Sequence, residues 1–210
     1  MKNEDRIRCF NRELDWIQTP GMKKLAEILI CNAPECFFHV PASSSGKHHP
    51  DFARHTDGGL VLHTKEVCHV LHMIVSEQDL WGLPTVWKDI LYVAAISHDM
   101  MKYGNDPSKG TRKDHPALAS EFIWRTYMLR ERELETYKVT PGMVYDVQQL
   151  VATHMGKWGY PTPTTDLQNL LCVADVIASR KEWTPKFTDE NDIIINMLNS
   201  KIATATDEKV

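Results

Sequence analysis

Six side chains in this 210-residue chain are of the types that hold first-row metal ions: His63, the adjacent pair His98 and Asp99, His115, His154 and Asp175. His98 and Asp99 follow the apolar run Ile90 to Ile96, which reads as a buried helix. Burying an imidazole beside a carboxylate is costly unless something satisfies both. A cation does so, because both groups are metal ligands and a carboxylate can bridge two ions. Asp175 stands alone among apolar neighbours from Leu170 to Ile177. A lone buried carboxylate needs a paired charge or a metal, the alternative being an exposed acid on the polar stripe of an amphipathic helix. His63 follows the turn-forming Gly58-Gly59, His115 precedes Pro116, and His154 precedes Met155-Gly156. Three histidines at helix ends beside glycine or proline fit ligands converging on one cleft. Taken singly, each reads first as an ordinary surface or core histidine.

The elements that must carry these groups are helical. Ile7, Phe10, Leu14 and Ile17 have helical spacing up to the stop at Pro20-Gly21, and a second helix is expected over Lys23 to Leu29. Turn-forming residues from Pro41 to Pro50 predict a loop. Apolar periodicity resumes over Leu60 to Val75 and Val86 to Met101, with a loop from Gly104 to Asp114. Pro116 opens a helix running to Met128, and Pro141 opens another with Val144, Val147, Leu150 and Val151 on one face. After a Gly/Pro loop over 156–165, a last helix covers Leu167 to Ser179. Strand alternation is nowhere sustained, so the expected fold is an all-α bundle of about seven helices. Residues 1–44 read as an N-terminal helical extension, 45–185 as the core, and 186–210 as a C-terminal helix with a frayed tail, together one compact domain.

Composition narrows the class. Apolar residues at 42% and charged residues at 25% exclude disordered and fibrous chains. Lys plus Arg at 24 against Asp plus Glu at 28, a formal −4, argues against duplex-DNA binding, which calls for a basic face. No apolar segment follows the charged start Met1 to Arg8, and Ile28 to Val40 is broken by Asn32, Pro34 and Glu35, so neither a secretory signal nor a bilayer span is expected. Five cysteines, odd in number and without a CxxC pair, read as reduced thiols in a cytoplasmic protein.

Other polar groups bear on substrate. Lys47, His48, His49 and Arg54 could form a phosphate-binding cluster, or a merely solvated loop. Lys157 and Trp158 could contact a base or sugar, since tryptophan offers a stacking face, or Trp158 could serve the core or a lid. His69 and His72 lie about 240° and 180° around a helix from His63 and should point away from it. His39 and His55 have no supporting pattern, and Met73, Met100, Met101 and Met155 read as core filler.

The order His63, His98-Asp99, His115, His154, Asp175 resembles the HD-domain superfamily of metal-dependent phosphohydrolases in its H…HD…H…H…D form. His98-Asp-Met-Met-Lys102 is similar to the family's HD-x-G-K, with Met101 in place of glycine. Gly58-Gly-Leu-Val-Leu-His-Thr64 resembles the GGLxxHT segment of bacterial HD-type 3′–5′ exoribonucleases. Thr153-His-Met-Gly-Lys-Trp-Gly-Tyr-Pro161 and Ala174-Asp175 resemble later segments of those enzymes, and His115-Pro116 is similar to the HP element of HD-GYP phosphodiesterases, whose GYP signature is incomplete here. The resemblance spans about residues 45 to 180. It implies an all-α HD fold holding two divalent metal ions: one on His63, His98, Asp99 and Asp175, the other on Asp99 as a bridge with His115 and His154.

Two cations about 3.5–4 Å apart can hold a hydroxide at neutral pH and clamp a phosphoryl oxygen, so no serine or cysteine nucleophile is required. With Asp99 as catalytic bridge, Lys102 lies within reach of substrate phosphate or developing charge. Lys47, His48 and Lys157 complete the candidate substrate contacts. Such a donor set suits Mn, Fe, Co, Ni, Zn or Mg, with Mn or Fe favoured. The expected activity is hydrolysis of a phosphomonoester or phosphodiester bond of a nucleotide. Alternatives are a 3′–5′ exonuclease on the 3′ end of single-stranded RNA or DNA, a di-iron oxygenase of the same ligand pattern, or an inert nucleotide-binding module. The terminal helices could cap the core or mediate homo-oligomerisation, and no membrane partner is expected.

Overall fold

Proline and glycine set most helix boundaries in the computed structural model, which describes residues 1–44, 49–54, 56–76 and 82–183. The expected first helix is two: α1 (Asn3–Arg8) and α2 (Asn11–Asp15). The chain leaves the helical region at Phe10 (φ −123°, ψ 17°), and this turn buries the Phe10 ring, stacked 6.3 Å from Phe37. Periodicity alone could not show that break, because the apolar spacing runs through it.

α3 (Pro20–Asn32) is longer than its apolar signal. Pro20 sits at its start, where no amide hydrogen is needed. The amides of Gln18 and Thr19 donate to the Asp89 carboxylate instead, at 3.0 and 2.7 Å. Pro34 bars continuation at the other end. A short α4 (Asp51–Arg54) leads to α5 (Gly59–Ser76) and α6 (Thr85–Ser97). α7 (His115–Thr136) runs two turns past Met128 because Leu134 returns to the core, fully buried. α8 (Pro141–Thr153) and α9 (Asp166–Ala178) follow, with 3-10 turns at Glu35–Phe38, Pro107–Lys109 and Gly156–Trp158. The described residues contain no strand, and the fold is all-α. The helix expected over 186–210 lies outside the described residues.

α5, α6, α8 and α9 pack against one another, α7 lies along α8, and α3 covers α6 and α7. One hydrophobic cluster runs from Phe10, Leu25 and Leu29 through Leu60, Leu71, Ile90 and Val147, so the N-terminal helices share the core of the rest. A buried ion pair ties the two: Lys65 Nζ on α5 lies 2.6 Å from Glu13 on α2 and donates to the Cys9 carbonyl at 2.7 Å. Among the described residues, no helix is long and apolar enough to cross a membrane.

Candidate metal centre

Each of the six groups is placed by a helix terminus or by the turn beside one. Gly58, at φ +75°, lets the chain turn into α5. A Cβ on Gly59 would lie 2.0 Å from the Ala53 carbonyl oxygen, so only glycine lets the helix begin against that backbone. One turn later His63 faces inward. α6 ends at Ser97, and the chain passes His98 and Asp99 in tight turns whose amides reach three residues back, from Met100 to Ser97 and from Lys102 to Asp99. The first positive-φ residue after Asp99 is Gly104, at φ +60°. Met101, where the family pattern has glycine, does not carry it. His115 opens α7, His154 caps the end of α8, and Asp175 sits on α9. α9 begins with a capping box in which Thr165 and Gln168 satisfy each other's backbone amides.

These residues meet around Asp99, whose side chain is 1% exposed. Its two oxygens face different partners. Oδ2 lies 3.7 Å from His63 Nε2 and 3.4 Å from His98 Nε2. Oδ1 lies 3.1 Å from His115 Nε2 and 3.7 Å from His154 Nε2. Asp175 Oδ1 adds to the first group, 3.1 Å from His63 Nε2. His63, His98 and Asp99 form one group of donors close enough to share an ion, and Asp99, His115 and His154 form another.

The imidazoles are oriented as ligands. Nδ1–H of His98 donates to the Ala95 carbonyl at 2.7 Å, that of His115 to Arg112 at 2.6 Å, and that of His154 to Val151 at 2.7 Å. A ring nitrogen facing a carbonyl must be the protonated one, which leaves Nε2 of each neutral ring as a lone pair. The Nε2 atoms of His115 and His154 then face each other at 3.1 Å with Asp99 Oδ1 beside them. Three acceptors pointed at one place repel unless a cation or proton sits among them. The first group has the same want: both nitrogens of His63 and Nε2 of His98 are buried with no hydrogen-bond partner among the described residues. The donor set fits divalent metal ions.

Burial disfavours charge throughout, and the shifts follow from what opposes it. Burial holds His63 and His154 below the usual imidazole range. His98 is raised because Asp99 outweighs its desolvation. Against their own desolvation, Asp99 is held well below the carboxylate range by Lys102 and His98, and Asp175 is lowered by His63. Lys102 is raised: Asp99, 2.6 Å from its ammonium, outweighs burial. Ionised carboxylates faced by the uncharged rings of His63 and His154 match the protonation state metal binding requires, and His98 gives up its proton when an ion takes its place.

A cavity of about 480 Å³ opens onto the centre. Asp99, Lys102, His115 and Asp175 reach it from the expected set, and Trp158 reaches it with Met155, Val176 and Arg180. Met155 is therefore a cavity residue as well as a packing one. Lys157 is exposed on the same turn as Trp158, its ammonium 4.8 Å from the indole centroid, and does not line the cavity. Lys47 and His48 lie outside the described residues, as does His55. Arg54 pairs with Asp51. His72 stacks on Trp16 at 4.0 Å and bonds Tyr92 at 2.8 Å, and His69 packs on the same indole, both away from Asp99. Ser43, Ser44, Thr111, Ser179 and Arg180 also line the cavity. No motif marks them, since loops and a helix end bring them there from distant stretches of chain.

A model of the HD domain family matches residues 60–180, more than half of the chain. Comparison with curated proteins and with solved structures returned no match. The matched span runs from the start of α5 to just past α9 and so takes in Asp99 and the five groups around it. The chain belongs to the HD-domain family, within the superfamily of metal-dependent phosphohydrolases.

Proposed function

We propose that this protein is a dinuclear HD phosphohydrolase that cleaves a phosphomonoester or phosphodiester bond of a nucleotide. The observation that carries the reading is Asp99: one buried carboxylate turns each oxygen toward a separate set of imidazoles. His63, His98 and Asp175 would share one divalent ion with it, His115 and His154 a second. Metal ions held there supply Lewis acidity and lower the pKa of bound water, the standard means of phosphate ester hydrolysis without a side-chain nucleophile.

The chain's own groups do the rest. The Nδ1–H bonds to Ala95, Arg112 and Val151 hold three rings in one tautomer and one orientation. Lys102 keeps a positive charge at the cavity wall, where it offsets phosphate charge or charge developing in the reaction. Trp158, Met155 and Val176 offer apolar surface for a base, and Ser43, Ser44 and Thr111 offer hydroxyls for a sugar. A cavity of about 480 Å³ falls in the range of small-ligand sites. With the formal −4 of the chain, it favours a small nucleotide over a long polymer. The five cysteines form no disulfide, which suits a reducing cytoplasm.

The test combines metal analysis with a substrate panel: nucleoside monophosphates, cyclic and dinucleotide diesters, and labelled single-stranded RNA and DNA, all under anaerobic conditions. Two divalent ions per chain and phosphate or nucleotide release from a small substrate are expected. Processive shortening of oligonucleotides would replace the small-substrate reading with an exonuclease. Substrate-dependent oxygen uptake without anaerobic hydrolysis would replace it with an oxygenase, and binding of nucleotides without turnover with a sensing module.

A further inference from the structure

His49 is buried in the cavity wall with polar atoms that no described residue pairs. It is 7% exposed, and neither ring nitrogen has a hydrogen-bond partner among the described residues. A desolvated, unpartnered polar group destabilises the fold. Its backbone is also left-handed, at φ +73°, a conformation disfavoured for a residue with a Cβ. The position is nonetheless specified. The His49 amide donates to the Ser179 carbonyl at 3.0 Å, just beyond α9 and four residues from Asp175. The ring stands edge-on to His63, with centroids 4.5 Å apart and planes at 88°. It lines the same cavity as Asp99, Lys102 and His115. It belongs to neither group of donors that could share an ion. Two local penalties in one residue, at the wall of a reaction cavity, are characteristic of a site that is complete only with its ligand.

We infer that His49 is a substrate-contacting residue that donates a hydrogen bond to a phosphoryl oxygen of the bound ester. At least one imidazole nitrogen carries a hydrogen in any tautomer or protonation state, so the ring always offers a donor. Lys102, the charged neighbour in the cavity, already spends one donor on Asp99 Oδ2. His49 supplies a donor from a different loop, so a phosphoryl group is held from two sides. The inference rests on the hydrolytic reading above but assigns a contact that neither the metal centre nor the family match requires.

His49→Gly and His49→Asn test it on the metal-loaded full-length chain. Glycine adopts the left-handed conformation freely and asparagine tolerates it, so neither replacement strains the loop. Asparagine keeps an N–H donor. Inorganic phosphate is the probe in calorimetry, and metal content and Tm are read in parallel. For His49→Gly the expected result is at least a tenfold weaker phosphate Kd, a raised KM for the best nucleotide of the panel, unchanged metal content, and a Tm equal to or above the parent. His49→Asn should recover part of the phosphate affinity. An unchanged Kd in His49→Gly, with the parent binding phosphate, overturns the His49 contact and leaves the hydrolytic reading standing. Loss of an ion overturns it in favour of a metal ligand, and a large drop in Tm in both variants overturns it in favour of a packing role. A metal-loaded parent that neither binds phosphate nor cleaves any ester removes the hydrolytic reading and this contact together.

Discussion

Asp99 is the residue on which both candidate ion positions depend, because its two oxygens belong to different sets. Asp99→Ala is expected to leave the chain without tightly bound metal and to lower hydrolysis by at least about 100-fold, beyond the range seen when only outer partners of ligands are lost. Elemental analysis of the purified variant checks this; two retained ions would reject the bridge. His154 belongs to the donor group with Asp99 and His115 and not to that of His63 and His98. His154→Ala should therefore drop the metal content from two ions toward one, as its partner His115→Ala should. Equal loss from both positions would mean that the sites fill as a single unit. Trp158 and Lys157 illustrate how neighbours part company: the indole reaches the cavity, while the ammonium packs over its ring.

Helix ends, more than helix faces, aim this chemistry. α9 carries Asp175 three turns from a capping box at Thr165. Thr165→Ala removes an acceptor for the Gln168 amide at 3.3 Å and should cost about 1 kcal/mol, read as a lowered urea midpoint with an unchanged m-value. Gly59 is the harder constraint. A side chain there collides with the Ala53 backbone, so Gly59→Ala must displace the start of α5 and with it His63. A loss of about 2 kcal/mol or more is expected, with weakened metal binding, and calorimetry of both properties in the same variant checks the coupling. A Gly59→Ala chain as stable as the parent would show that the α4–α5 junction yields without cost.

Stability of the whole molecule responds to groups outside the centre as well as within it. Lys65 and Glu13 are both buried, and Glu13→Ala would leave the lysine charge without its carboxylate. Breaking such a pair typically costs about 3–5 kcal/mol, so this variant should unfold at markedly lower urea and loosen α2 from α5. Acid should act through the buried imidazoles. Burial, helped by His63 and Lys102, pushes His49 down to about 2, and His63 and His154 are also lowered. Between pH 6.5 and pH 5 the unfolded chain therefore takes up protons that the folded chain refuses, and stability falls as pH falls. Each such histidine contributes as much as about 1.4 kcal/mol per pH unit. His98, raised by Asp99 against its own desolvation, works in the opposite sense and offsets part of that slope. Thermal unfolding of chelator-treated protein at pH 7.5, 6 and 5 should show a falling Tm. Returning metal at neutral pH should raise it, the gain in stability being about 2.7 kcal/mol per site when free metal is a hundred times its Kd. A Tm flat with pH would mean that the folded rings take up protons freely.

The amino-acid sequence by itself determined the all-α class and singled out Asp99 and the five groups that gather around it. Proline, glycine and apolar periodicity are local signals, and a histidine or carboxylate in an apolar run is conspicuous wherever the chain later goes. It could not show that α1 and α2 part at Phe10, because the force that bends the chain there is burial against Phe37, a residue in another segment. Nor could it divide the histidines of the 47–55 stretch. His49 becomes distinct only through its bond to Ser179 and its contact with His63, both made across the fold. Which Asp99 oxygen faces which rings, and which side chains line the cavity, depend on how α5, α6, α8 and α9 pack. Such distances are properties of close-packed helices from separate stretches of chain, and no local pattern encodes them.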